Sequence, residues 1–213
     1  MPWYYYIIKA TLRILLLLFT RCQIIGKENI PKQGRLLVVA NHLSLVDPPL
    51  LSFVVNRKMA FMAKKELFHY SIFLKYLIRS FGAFPVSRGQ LNRKALHQAE
   101  NVLTNGLPLI IFPEGMRSRS GKLQSAYPGV AFIAFHSSAP ILPIGISGTE
   151  KITGITWLLR RPHIKINIGQ SFYLPQVNSK LTKANLANLT NYVMGQIAEL
   201  LPPEYRGEYI AEN

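Results

Sequence analysis

His42 and Asp47, the chain's only aspartate, stand five residues apart in the segment Asn41-His-Leu-Ser-Leu-Val-Asp-Pro-Pro49. A carboxylate accepting from one imidazole nitrogen orients the ring and favours its positive form. The other nitrogen is then able to take a proton from an attacking hydroxyl. On a regular helix, residues five apart point about 140° away from each other, so a useful pair requires a turn followed by a helix start. Pro48 supplies that start. The same residues also suit a plainer arrangement, in which Asp47 caps a helix with Pro48 at its first position and His42 merely ends a strand.

A second constellation is Phe112-Pro-Glu-Gly-Met-Arg-Ser-Arg-Ser-Gly-Lys122. It surrounds one carboxylate, Glu114, with the cations Arg117, Arg119 and Lys122, with serine hydroxyls, and with backbone N–H groups beside Gly115 and Gly121. These are the ingredients of a phosphate cradle. It is not a P-loop: five residues rather than four separate the glycines, and Leu123 follows Lys122 where Ser or Thr would hold magnesium. A solvated basic loop is the competing reading. A third segment, Gly82-Ala-Phe-Pro-Val-Ser-Arg-Gly89, offers Arg88.

The elements that must position these residues follow from hydrophobic patterning. Short β-rich runs are expected at 35–40, 59–63, 83–86, 109–112, 141–146 and 163–168, alternating with helices at 49–56, 67–80, 91–105 and 129–137 and a last one near 181–201. Gly106 ends the third helix as a C-cap. The alternation predicts a single α/β domain, residues 22–213, with a mostly parallel central sheet flanked by helices. His42, the 112–122 loop and Arg88 each follow a strand directly, and open α/β sheets bind ligands at the carboxyl ends of their strands. Residues 123–149 carry no formal charge. Pro128, Gly129, Pro140 and Pro143 break that stretch, so it reads as a buried helix and a central strand, not as a membrane span.

Residues 1–21 are strongly apolar but interrupted by Lys9 and Arg13. A bilayer crossing needs about 20 apolar residues, so these read as an amphipathic membrane-interface helix, with Trp3 and three tyrosines at headgroup depth and Lys9, Arg13 and Arg21 facing anionic lipid; a secretory signal or a core helix is the competing reading. The whole chain carries 25 Lys and Arg against 10 Asp and Glu, a net charge of +15, and suits a polyanionic partner. One cysteine, Cys22, leaves no intrachain disulfide and no Cys-based zinc site, and a lone aspartate excludes paired-Asp metal sites. There is no Gly-x-Ser-x-Gly elbow, no His-Glu-x-x-His and no Gly-x-Gly-x-x-Gly. Serine hydrolase, zinc and dinucleotide chemistry are therefore unsupported, and neither a metal nor a cofactor is expected.

Taken in order, Asn41-His-Leu-Ser-Leu-Val-Asp47, Gly82-Ala-Phe-Pro-Val-Ser-Arg88, Phe112-Pro-Glu-Gly-Met-Arg-Ser118 and Ile141-Leu-Pro-Ile144 resemble the four blocks of the 1-acylglycerol-3-phosphate acyltransferase family. The resemblance covers roughly residues 26–148. Met116 departs from it, standing where the family commonly has Thr. The resemblance implies transfer of a fatty acyl group from an acyl carrier protein or CoA thioester to the sn-2 hydroxyl of lysophosphatidic acid, at the cytoplasmic face of an anionic phospholipid membrane. It also implies His42 as general base and Asp47 as its orienting partner, with Arg88, Glu114, Gly115 and Arg117 on the glycerol phosphate and residues 141–144 on the acyl-donor side. Two alternatives stay open. One keeps the chemistry but takes glycerol-3-phosphate or another lysolipid as acceptor. The other is a non-catalytic nucleic-acid-binding protein suggested by the charge, which explains neither the leucine-rich terminus nor His42; no nucleic-acid partner is expected.

Overall fold

The computed structural model of the chain describes residues 3–87, 93–175 and 181–209. Seven strands form one sheet: β1 (Arg21–Ile25), β2 (Leu36–Ala40), β3 (Ala60–Lys64), β4 (Ala83–Val86), β5 (Pro108–Ile111), β6 (Ile141–Ser147) and β7 (His163–Ile168). Their order across the sheet is β1-β7-β6-β2-β5-β3-β4. Every pairing is parallel except β6 with β7. The expected mostly parallel α/β domain is therefore what the chain forms, and the strand expected at 163–168 matches β7 residue for residue.

The central strands are uninterrupted apolar runs because both of their faces are covered. Leu36-Leu-Val-Val-Ala40 has no exposed residue; Leu37 and Val39 face one core while Leu36, Val38 and Ala40 face the other. The first core is closed by α5 (Arg93–Thr104), α6 (Gly129–Ser137) and α8 (Lys183–Glu199), through Ala99, Leu103, Val130, Ile133, Val193 and Ile197. The second is closed by α2 (Asp47–Val55), which inserts Leu50, Leu51, Val54 and Val55. Each such side chain contributes about 1.5–3 kcal/mol of burial, so α2, which begins five residues after His42, is firmly fixed to the sheet. Gly145 in β6 is needed for packing: a Cβ there would lie 2.9 Å from the Leu200 carbonyl oxygen, just past α8.

Three elements differ from expectation. Arg21, expected as the last residue of the N-terminal segment, begins β1, an exposed edge strand in register with β7. The helix expected over 67–80 is two, α3 (Leu67–Tyr70) and α4 (Ile72–Ser80), because Ser71 is extended. A one-turn helix, α7 (Trp157–Arg160), follows β6 and had no counterpart in the sequence reading. The N-terminal helix, α1, spans Trp3–Phe19. Among the described residues, no helix is long and apolar enough to cross a membrane.

Candidate active site

Since β2, β3, β4, β5 and β6 run in one direction, their carboxyl ends share one edge of the sheet, and β2 with β5 lie at its middle. Asn41, the first residue past β2, is buried and continues the sheet with its side chain. Its amide donates to the Ile146 carbonyl at 2.8 Å and accepts from the Ile146 N–H at 2.7 Å. The chain then turns, and His42 Nδ1 meets Asp47 Oδ2 at 2.9 Å. The same carboxylate oxygen accepts the backbone N–H groups of Leu43 and Ser44, each at 2.7 Å. Asp47 is the first residue of α2, and Val46 occupies the cap position without a side-chain cap bond. The carboxylate thus closes the turn behind it, and this compact turn brings a pair five residues apart into contact.

Asp47 is 0% and His42 16% exposed at the side chain. An ionised carboxylate only accepts, so with Asp47 ionised Nδ1 would donate to it and leave the Nε2 lone pair to accept. The imidazole also stacks on the Phe112 ring, with centroids 4.2 Å apart and planes 23° from parallel, so one ring face and one nitrogen are both fixed.

The 112–122 loop grips the backbone of His42 from both sides. Glu114 Oε1 accepts the His42 N–H at 2.9 Å, and the Ser118 N–H donates to the His42 carbonyl at 2.7 Å. Glu114 Oε2 accepts the Gln124 N–H at 3.0 Å, closing the loop on itself. Glu114, 2% exposed, therefore faces inward as a clasp and does not line the outer surface of the loop with the cations. Arg117, Arg119 and Lys122 are exposed. Gly115 adopts φ +66°, and its would-be Cβ lies 2.8 Å from the Tyr127 ring. Arg88 falls outside the described residues. The block at 141–144 is wholly buried in β6, its side chains divided between the two cores. Ser118, one of the serine hydroxyls expected in the phosphate cradle, is buried and its Oγ donates to the Lys122 carbonyl at 2.6 Å. Phe112 and Asn41 have no role in the expectation from sequence. Their position directly after β5 or β2 was the signal available.

Two expectations follow from this geometry. Gly115→Ala should lower stability by about 1–3 kcal/mol, from the left-handed backbone and the collision with Tyr127. Adding Tyr127→Ala should recover only the collision part, as read by urea midpoints.

Burial is the main cause that raises the Glu114 carboxyl to about 7, helped by the Asp47 charge, while the two N–H bonds oppose the rise. Between its ordinary value of 4.5 and about 7, the folded chain holds this proton more tightly than the unfolded chain does. Its stabilising contribution is complete below 4.5 and is lost as pH rises through 7, an effect of about 3 kcal/mol over the whole window. Unfolding midpoints from pH 5 to pH 8 should fall more steeply for the unaltered chain than for Glu114→Gln, whose amide does not titrate; parallel curves would contradict this.

The site lies within a recognised family. Residues 21–147 match the family model described as Acyltransferase, and the chain belongs to that family. It is 26% identical over 182 residues to the 1-acyl-sn-glycerol-3-phosphate acyltransferase of Borreliella burgdorferi, covering 83% of this chain and 70% of that protein. It is 30% identical over 176 residues to the Streptococcus pneumoniae protein of the same name, covering 81% of this chain and 63% of that one. Among solved structures it is similar to the 1-acyl-sn-glycerophosphate (LPA) acyltransferase PlsC of Thermotoga maritima, with a TM-score of 0.66 and 30% identity over 89% of this chain and 76% of that one.

Proposed function

We propose that the chain transfers a fatty acyl group from an acyl thioester to the sn-2 hydroxyl of 1-acylglycerol-3-phosphate, forming phosphatidic acid. The observation that carries this reading is the 2.9 Å contact between His42 and the buried Asp47 at the end of a central strand, clasped by a loop bearing exposed cations. The names of the similar proteins support the choice of acceptor.

In this reading, the acceptor phosphate rests against Arg117, Arg88 and the backbone beside Gly115, which presents the hydroxyl to His42. Nε2 takes the hydroxyl proton as the oxygen attacks the thioester carbonyl. Asp47 stabilises the positive ring, the C–S bond breaks, and the proton passes to the departing thiolate. The hydroxyl attacks directly, so no acyl-enzyme forms, and neither metal nor cofactor takes part. Positioned proton transfer of this kind contributes about 10²- to 10⁴-fold. Glu114 serves as a positioning residue through the His42 N–H. The thiol carrier is acyl carrier protein or CoA, both anionic and both attracted by the +15 charge.

Helix α1 acts as the membrane-associating segment and the sheet domain that begins with β1 at Arg21 as the transferase domain, working at the cytoplasmic face of the cell membrane. The exposed Ile7, Ile14, Leu17 and Leu18 of α1 support this seating. The test is an acceptor panel on the purified full chain, with acyl-CoA and acyl carrier protein thioesters as donors. Phosphatidic acid from lysophosphatidic acid is the expected product. Acylation of glycerol-3-phosphate alone, or no transfer at all, would overturn the assignment.

A further inference from the structure

A second basic site stands on the same sheet edge as His42, away from the 112–122 loop. Strand β7 runs antiparallel to β6, with Ser147 opposite Lys165, so the start of β7 lies beside the carboxyl end of β6. Strand β1 begins there too, Arg21 opposite His163. At this corner Lys151, Arg160, Arg161 and His163, with Thr153 and Pro162, line an open cavity of about 320 Å³, with no carboxylate on it among the described residues. Glu150, the nearest acid in sequence, does not line it: its Oε1 accepts the Tyr205 hydroxyl at 2.7 Å and its Oε2 is buried.

Arg160, which lines the cavity, is the last residue of α7, and the end of α1 packs on that helix. Phe19, at the end of α1, packs edge-on against Trp157 of α7, with centroids 6.3 Å apart. Beyond that contact, Leu17 is 63%, Ile155 77% and Leu159 90% exposed. Large aliphatic side chains held this far into solvent beside a ring of cations match the layered chemistry of a lipid surface, with anionic headgroups meeting the cations and acyl chains meeting the leucines.

We propose that the cavity formed by Lys151, Arg160, Arg161 and His163, with the apolar collar of Ile155, Leu159 and α1, is a docking site for anionic phospholipid of a membrane surface. The inference rests on the proposed seating of α1 and deepens it. The membrane is gripped at two places, and the second sets the β2 and β6 strand ends toward the lipid from which the acceptor is drawn. This commits the site to headgroups in a bilayer, because a free anion would have no use for the exposed collar.

The test compares sedimentation with vesicles of phosphatidylcholine alone and of phosphatidylcholine with roughly one third phosphatidylglycerol. The variant is Lys151→Gln/Arg160→Gln/Arg161→Asn. Asn is chosen at 161 because that residue has φ +45°, a conformation Asn tolerates. Three cations near an anionic leaflet are together worth on the order of 100-fold in partitioning at low salt. A loss of at least about tenfold on the mixed vesicles, with little change on neutral ones, is therefore expected, and acyl transfer in detergent micelles should be unchanged. Leu159→Asp should weaken binding to both kinds. Equal binding of the triple variant and the unaltered chain to mixed vesicles would overturn the proposal. So would inorganic phosphate raising the Tm of the unaltered chain but not of the variant while vesicle binding stayed equal. Leu17→Asp/Leu18→Asp reports on α1 separately. If it binds vesicles normally while the triple variant does not, the α1 seating fails and with it α1's share of the collar, while the headgroup contact of the cations stands.

Discussion

His42→Ala should lower the rate of phosphatidic acid formation by on the order of 10²- to 10⁴-fold, the range that a positioned proton acceptor contributes. The loss should appear in kcat, with the KM for lysophosphatidic acid changed little, since the proposed phosphate contacts lie at other residues and proton removal belongs to the transition state. The fold should survive. The loop is fastened to the backbone of residue 42 through its N–H and carbonyl, and alanine keeps both. Cooperative unfolding at a urea midpoint near that of the unaltered chain, together with turnover below a hundredth of normal, is the expected pair of results. Near-normal turnover would remove the imidazole from the chemistry.

Asp47→Asn is the second large effect. Its side-chain oxygen can still accept the Leu43 and Ser44 N–H groups that Asp47 Oδ2 now accepts, so the turn should persist. What is lost is the negative charge behind the ring as it becomes cationic, and kcat should fall by about 10²- to 10³-fold. Asp47→Ala leaves those two buried N–H groups without their acceptor and should additionally lose about 2–4 kcal/mol of stability. A kcat for Asp47→Asn within a few-fold of normal, in a chain with unchanged stability, would leave the carboxylate only its role in the turn.

The pair itself was legible because the chain has a single aspartate and it precedes a proline, just beyond a run of buried aliphatic residues. Strands β2, β5 and β6 were visible for the related reason that a strand covered on both faces is a bare apolar run bounded by turn residues, and β7 because its buried Ile164, Ile166 and Ile168 alternate with more exposed residues. Strand β1 was not, because Arg-Cys-Gln-Ile-Ile is exposed along its length and exists through its pairing with β7, whose residues lie just over 140 positions later. Helix α7, one turn long, has no periodicity to detect. The break at Ser71 has no proline or glycine to announce it.

The clasp on His42 was hidden differently. Glu114 reads in sequence as the carboxylate of a basic loop, and only the fold reveals that it turns inward to an N–H 72 positions earlier. Long-range satisfaction of backbone groups leaves little trace in local pattern. The motif was therefore readable as a unit, while the division of labour inside it, with cations outward and the carboxylate inward, was not.

The most direct test of whether His42 and Asp47 act as one unit is a double-mutant cycle in kcat/KM with His42→Ala, Asp47→Asn and both together. If Asp47 works through the ring, its substitution should change the rate by no more than about twofold once the imidazole is gone. If the two losses multiply instead, the carboxylate acts independently of the histidine, and the proton-transfer account is wrong.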